Sequence, residues 1–191
     1  MPKLWSETIE THRREVREAI LDATAALVAE HGLRAVTMSQ IAERAGVGRA
    51  TLYKYFPDVE AILGAWHERQ VGHHLHQLTE VRDQAADPAA RLEAVLTAYA
   101  FMTSSRAGHD ADIAAHLHHG SRLAHAHEHL HGLVRDLIAE TASSGDLRSD
   151  TDPGELATYC LHALSAAGSL PTEAAVRRLV QITLTGLRNS G

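Results

Sequence analysis

Residues 127–131 read His-Glu-His-Leu-His, literally H-E-x-x-H. At that spacing two imidazoles one helical turn apart can hold zinc while the glutamate polarises a water. The motif lies in a tract with histidine at alternate positions, His125, His127, His129 and His131, so one embedded Glu128 makes it almost inevitable. No strand scaffold or defined third ligand accompanies it, which argues against a peptidase or other metalloenzyme. Of the 15 histidines, 10 fall here, in "HHLH" at 73–76 and in "HLHH" at 116–119. A regulator or binder of zinc or nickel, with His127 and His131 as candidate ligands, is the fairer metal reading. Exposed or hydrogen-bonded imidazoles are preferred to both.

The second stretch with chemical potential is "GVGRATLYKYF", residues 46–56, a glycine turn followed by Arg49, Tyr53, Lys54 and Tyr55. On a helix from about Arg49 to Phe56, Leu52 and Phe56 lie one turn apart and face inward. Arg49, Ala50, Tyr53 and Lys54 are then left on the opposite side. Short residues near the helix start permit close approach, and cations and hydroxyls reach phosphates and base edges. An ordinary helical hairpin with solvated tyrosines is the alternative.

The surrounding elements fit the first of these. Thr37 stands three residues before Gln40, a capping box that opens a short helix through Ala45. Gly46 ends it, Val47 and Gly48 form the turn, and the third helix follows: a helix-turn-helix. Ile41, Ala42, Ala45, Val47, Leu52 and Phe56 supply its internal contacts. A first helix from about His12 to His31 carries Val16, Ile20, Ala23, Leu27 and Val28 at helical spacing and closes at Gly32. Beyond Asp58 a fourth helix runs to about Arg82. Asp87 and Pro88 open a fifth, striped by Leu92, Val95, Leu96, Tyr99 and Met102. Further helices are expected at about 110–118, 121–143, from Asp152-Pro153 to about Leu170, and from Thr172 to about Arg188. The chain reads as all-α, about nine helices, with a DNA-binding domain at 1–57 and a larger helical domain at 58–191.

Charge is unevenly placed. Net charge is −6, yet residues 1–56 hold eight Lys/Arg against seven Asp/Glu. Within 34–56, Arg34, Arg44, Arg49 and Lys54 face Glu43 alone, which would orient this segment toward a polyanion. The single Cys160 cannot form an internal disulfide, no apolar leader opens the chain, and no apolar run approaches about 18 residues. A cytoplasmic protein is expected, without membrane association and without a cofactor.

"TMSQIAERAGVGRATLYKYFPDVEAIL", Thr37 to Leu63, resembles the DNA-binding signature of the TetR family of bacterial transcriptional regulators. The likeness covers residues 12–64 well and the remainder only in length and helical character. It implies a homodimer whose recognition helices enter successive major grooves of a palindromic double-stranded DNA operator. By position, Thr37 and Ser39 would touch backbone phosphate. Arg49, Ala50 and Thr51 would lie nearest base edges, and Tyr53, Lys54 and Tyr55 would anchor phosphates. Two residues depart from the pattern. Gly48 belongs to this DNA-facing set, but stands where the family usually has a capping serine. Val59 replaces the usual lysine, although Asp58 still supplies a helix cap.

The resemblance also implies a repressor released by a small-molecule effector. Trp66, Tyr99, Met102 and His127 are the candidate pocket liners, because such sites pair apolar walls with a few polar groups. The last two helices carry stripes of Leu156, Cys160, Ala163, Leu164 and Ala167, then Val176, Leu179, Val180, Thr183, Leu184 and Leu187. Sequence alone favours these stripes as core. The resemblance favours a dimer seam through about 155–188.

Overall fold

The computed structural model describes residues 3–32, 35–106, 121–145 and 147–189. Among them are eight α-helices and one 3-10 turn: α1 (Lys3–His31), α2 (Met38–Arg44), α3 (Arg49–Tyr55), α4 (Val59–Gln84), α5 (Pro88–Arg106), α6 (Ser121–Ser143), α7 (Pro153–Ser165), the turn Ala166–Ser169, and α8 (Glu173–Leu187). The short helix expected at about 110–118 lies outside the described residues.

Most of these helices begin at a side chain that accepts an otherwise orphaned first-turn N–H. Asp58 accepts from Ala61 N at 2.8 Å and Asp87 from Ala90 N at 2.8 Å. Asp152 accepts from Gly154 N at 2.8 Å, and Thr172 from Ala175 N at 3.2 Å. Pro88 and Pro153 follow their caps as first helical residues, where a missing N–H costs nothing.

Two boundaries differ from expectation. α1 starts at Lys3 rather than near His12. After Pro2 the segment has no glycine or proline, and Lys, Leu, Glu and Arg sustain a helix without burial: Ile9 to Glu15 are all exposed. The helix expected to reach Leu170 stops at Ser165 and tightens into a 3-10 turn, with Leu170 N donating to Ala167 O at 3.1 Å. Gly168 and Ser169, just ahead of Pro171, are poor at continuing an α-helix.

The chain divides within α4, between Gln70 and Val71, into two compact units. In the first, Ile20, Leu21 and Leu27 of α1 pack with Ile41 and Ala42 of α2, Leu52 and Phe56 at α3, and Ile62 and Trp66 of α4. In the second, α5 packs against α6, α7, α8 and the 3-10 turn. Its Leu92, Val95, Leu96 and Ala100 are at most 1% exposed. Burying each such large side chain is worth about 1.5–3 kcal/mol. The buried hydroxyls of Thr24 and Thr141 donate back to carbonyls four residues earlier, Ile20 O at 2.8 Å and Leu137 O at 2.7 Å, so neither hydroxyl is stranded.

The stripes of the last two helices are core of the single chain. Leu156, Cys160, Leu164, Ala167, Val176, Val180, Thr183, Leu184 and Leu187 are buried within it, Ala167 completely. This corrects their assignment to a dimer seam. Helical periodicity marks an apolar face but not what covers it. Burial also pushes the Cys160 thiol up to about 12, which keeps it protonated and unreactive. Among the described residues no helix is long and apolar enough to cross a membrane.

Candidate nucleic-acid interface

The turn between α2 and α3 is built by its own residues. Thr37 and Gln40 form a complete capping box: Thr37 N donates to Gln40 Oε1 at 2.9 Å and Gln40 N to Thr37 Oγ1 at 3.4 Å. At the other end Gly46 takes φ +67, the left-handed conformation that glycine adopts without strain. Gly46 N then donates to Glu43 O at 3.2 Å and Val47 N to Ala42 O at 3.0 Å, the two bonds of a Schellman motif. α3 follows after two residues. Its N-cap, Gly48, has extended backbone and no side-chain capping bond.

This turn aims α3. Leu52 is fully buried and Phe56 is 4% exposed, so the opposite side of the helix faces out. Arg49, Ala50 and Lys54 are exposed there, and Tyr53 is 56% exposed despite its ring. Thr51 is half-buried beside them. Tyr55 is half-buried and packs on the first unit's core, leaving less of it for a phosphate. Ser39 is half-buried on α2. Thr37 is exposed, but its hydroxyl donates to Gln40 Oε1 at 2.7 Å and is committed to the cap.

The cations divide into structural and available ones. Arg44 is used up: its Nη1 and Nη2 grip Glu30 Oε1 and Oε2 at 2.9 and 2.6 Å, joining α2 to α1. This hydrogen-bonded pair lowers the Glu30 carboxyl and raises the Arg44 guanidinium relative to their ordinary values. Arg17 lies over the Phe56 ring at 4.8 Å from its centroid, pinning the end of α3 to α1. Arg34 lies outside the described residues. Arg49 and Lys54 therefore remain as the outward cations of α3. Val59, at the usual lysine position, is half-buried against the same core, so packing replaces a charge there.

Sequence reading missed the clamp that Arg69 of α4 makes on α1. Its Nη1 lies 2.6 Å from Glu18 Oε2 and its Nη2 2.7 Å from Asp22 Oδ1. The available signal was an acid pair at i,i+4 on α1 and a single base in the middle of α4.

The other candidate sites fare differently. Trp66 is 9% exposed in the first unit's core. Tyr99 and Met102 are half-buried on the second unit's core, whereas His127 is exposed rather than turned to an apolar wall. His131 is the half-buried histidine of α6. Its Nε2 donates to Gly154 O at 3.0 Å and lies 3.0 Å from Thr158 Oγ1, tying α6 to the start of α7. These contacts occupy Nε2, which is therefore not presented to a metal ion. Among the described residues no group of three or more His, Cys, Asp or Glu is placed to hold a metal ion. The "HLHH" tract at 116–119 lies outside them.

Comparison with known proteins meets this geometry at both ends of the chain. Residues 20–65 match the model for bacterial regulatory proteins of the tetR family, and residues 87–189 match that for the SbtR-like C-terminal domain of transcriptional regulators. The HTH-type transcriptional repressor LfrR of Mycolicibacterium smegmatis is 37% identical over 88 residues, 46% of this chain and 43% of that protein. The chain thus matches less than half the length of that relative. A TetR/AcrR-family regulator from Thermobifida fusca superposes with a TM-score of 0.77 at 21% identity, over 91% of this chain and 98% of that one. FadR of Bacillus subtilis, in complex with stearoyl-CoA, gives 0.68 at 20% identity, over 90% and 99%. With its capped turn, its outward-facing α3 and both domain matches, the chain belongs to the TetR family of DNA-binding transcriptional regulators.

Proposed function

We propose that this regulator is a homodimeric repressor that holds a palindromic operator through α3 and leaves it when a small molecule binds. One observation carries the DNA-contact assignment: Leu52 and Phe56 bury one side of α3 and leave Arg49, Ala50, Tyr53 and Lys54 exposed on the other. Arg49, at the first helical position, suits bidentate contact with a guanine edge, and Lys54 suits phosphate. Thr51 lies between them, Tyr53 and Tyr55 flank the phosphates, and Thr37, Ser39 and Gly48 border the same surface.

The outer faces of α7 and α8 support the dimer. Tyr159 is 46% and Ile182 66% exposed, both large apolar side chains outside the core. Tyr159 lies over Gly186, where an added Cβ would come within 3.2 Å of its hydroxyl. The stearoyl-CoA in the FadR neighbour supports an effector with a substantial apolar part. α4 is one continuous helix from Val59 to Gln84, a stiff element through which a bound effector would bias the two recognition helices.

Gel shift against the intergenic DNA beside the protein's own gene tests the reading. The wild-type protein should bind specifically, and Arg49→Ala should bind more weakly with preference relaxed at one base pair. Equal binding by both would overturn the assignment of α3.

A further inference from the structure

The indole Nε1–H of Trp66 is buried with no hydrogen-bond acceptor among the described residues. Buried donors are paired in the great majority of cases, and an orphan calls for a reason. Trp66 holds a particular place on α4. One turn before it, Ile62 is fully buried in the DNA-binding core. Just under one turn after it, Arg69 clamps Glu18 and Asp22 of α1. Residues at these spacings share one face of a helix, so the orphan donor lies on the side of α4 turned toward α1.

We infer that Trp66 Nε1 is the polar anchor for an apolar small molecule bearing a neutral carbonyl oxygen. This inference rests on the proposed release by an effector. An indole nitrogen can only donate, so the ligand must bring an acceptor. Arg69 is already committed to Glu18 and Asp22, so no free cation is left to neutralise a carboxylate, which favours a ketone, ester or thioester carbonyl. The neighbouring Ile62 and the other members of the cluster are apolar, which sets the rest of the molecule. Because the donor is buried, a ligand reaches it only when α4 moves away from α1. Binding therefore selects that displaced arrangement and opposes the packing that holds the DNA-binding unit together. By linkage, the same ligand weakens operator binding by the factor that DNA weakens ligand binding.

Matched probes test this on the full chain: 1-tetralone against tetralin, and 2-undecanone against undecane and undecanoate. Trp5→Phe leaves Trp66 as the sole tryptophan reporter, since the chain has two. The ketones should bind about tenfold tighter than their hydrocarbons, the size expected of one hydrogen bond. Undecanoate should bind more weakly than 2-undecanone, and the ketones should release DNA over the range that saturates Trp66 emission. The indole N–H proton resonance should move downfield with a ketone and stay put with a hydrocarbon. In Trp66→Phe, read by calorimetry, the ketone preference should vanish. Equal ketone and hydrocarbon affinity in the wild type, an unmoved N–H resonance, or a preference retained in Trp66→Phe would each overturn the inference. DNA binding without ketone binding would overturn it and leave the DNA-binding reading standing. Absence of DNA binding in the free protein would count against that reading instead.

Discussion

Arg69 on α4 and Glu18 on α1 lie 2.6 Å apart, with Asp22 completing a two-carboxylate clamp on one guanidinium. Partial burial works against the charge, but hydrogen bonds to Glu18 and Asp22 outweigh it and hold the Arg69 pKa above its ordinary value. The clamp joins the long helix to the helix that packs behind the recognition element. Arg69→Met should cost about 1–2 kcal/mol in urea unfolding, given charged hydrogen bonds that are partly solvated. It should also weaken operator binding. Arg69→Glu combined with Glu18→Arg should recover part of both losses. If Arg69→Met left stability and affinity unchanged, the contact would be incidental.

Arg49 and Lys54 should separate by the kind of loss they cause. Arg49→Ala is expected to cost about 1–3 kcal/mol on the operator and to relax preference at one base pair. Lys54→Ala should weaken binding to every sequence and lower the slope of log affinity against log salt by about one. Fluorescence anisotropy titrations at several salt concentrations read both. An unchanged salt slope in Lys54→Ala would remove it from the phosphate contacts.

Gly48 opens α3 without a side-chain cap, in backbone any residue can adopt, and an added Cβ there would meet only Thr51 Oγ1 at 3.8 Å. Gly48→Ser should therefore fit, cap the helix and reduce the freedom of the unfolded chain, stabilising by about 0.5–1 kcal/mol. Operator affinity should rise with it. A fall in melting temperature would show that the turn needs glycine for another reason.

The two faces of the last helices predict different outcomes for similar substitutions. Ile182→Glu, on the exposed face, should give a folded monomer by sedimentation with reduced operator affinity. Ala167→Glu would place a charge in a completely buried site and should cost several kcal/mol, unfolding the second unit. A dimeric Ile182→Glu with normal affinity would move the interface off this face.

The Glu30–Arg44 pair gives a pH dependence with a definite sign. The Arg44 hydrogen bond lowers the folded pKa of Glu30, so its contribution is fully present above the ordinary glutamate value of 4.5. It is lost as pH falls below that value and through the lowered folded pKa. Glu30→Gln should therefore be less stable than wild type at pH 7, with the gap closing in acid. A gap that stayed constant down to pH 3 would contradict the pairing.

The sequence by itself determined the elements and the motif. Thr37 with Gln40, Gly46, and the pair Leu52 and Phe56 act within one or two helical turns, so local spacing was enough to read the helix-turn-helix and the outward face of α3. Asp58, Asp87, Asp152 and Thr172 marked helix starts for the same reason. Only the tertiary structure decided which partners those faces meet. Arg44 counted as a free cation until Glu30, fourteen residues away, was seen to bind it. For Ala167 and Leu164 spacing alone favoured a core and the family resemblance a seam, until their own chain was seen to cover them. His127 and His131 share a spacing, yet one is exposed and the other is bonded to Gly154, twenty-three residues on. Periodicity is a property of one helix, whereas burial, pairing and an orphaned donor such as Trp66 Nε1 depend on what packs against it.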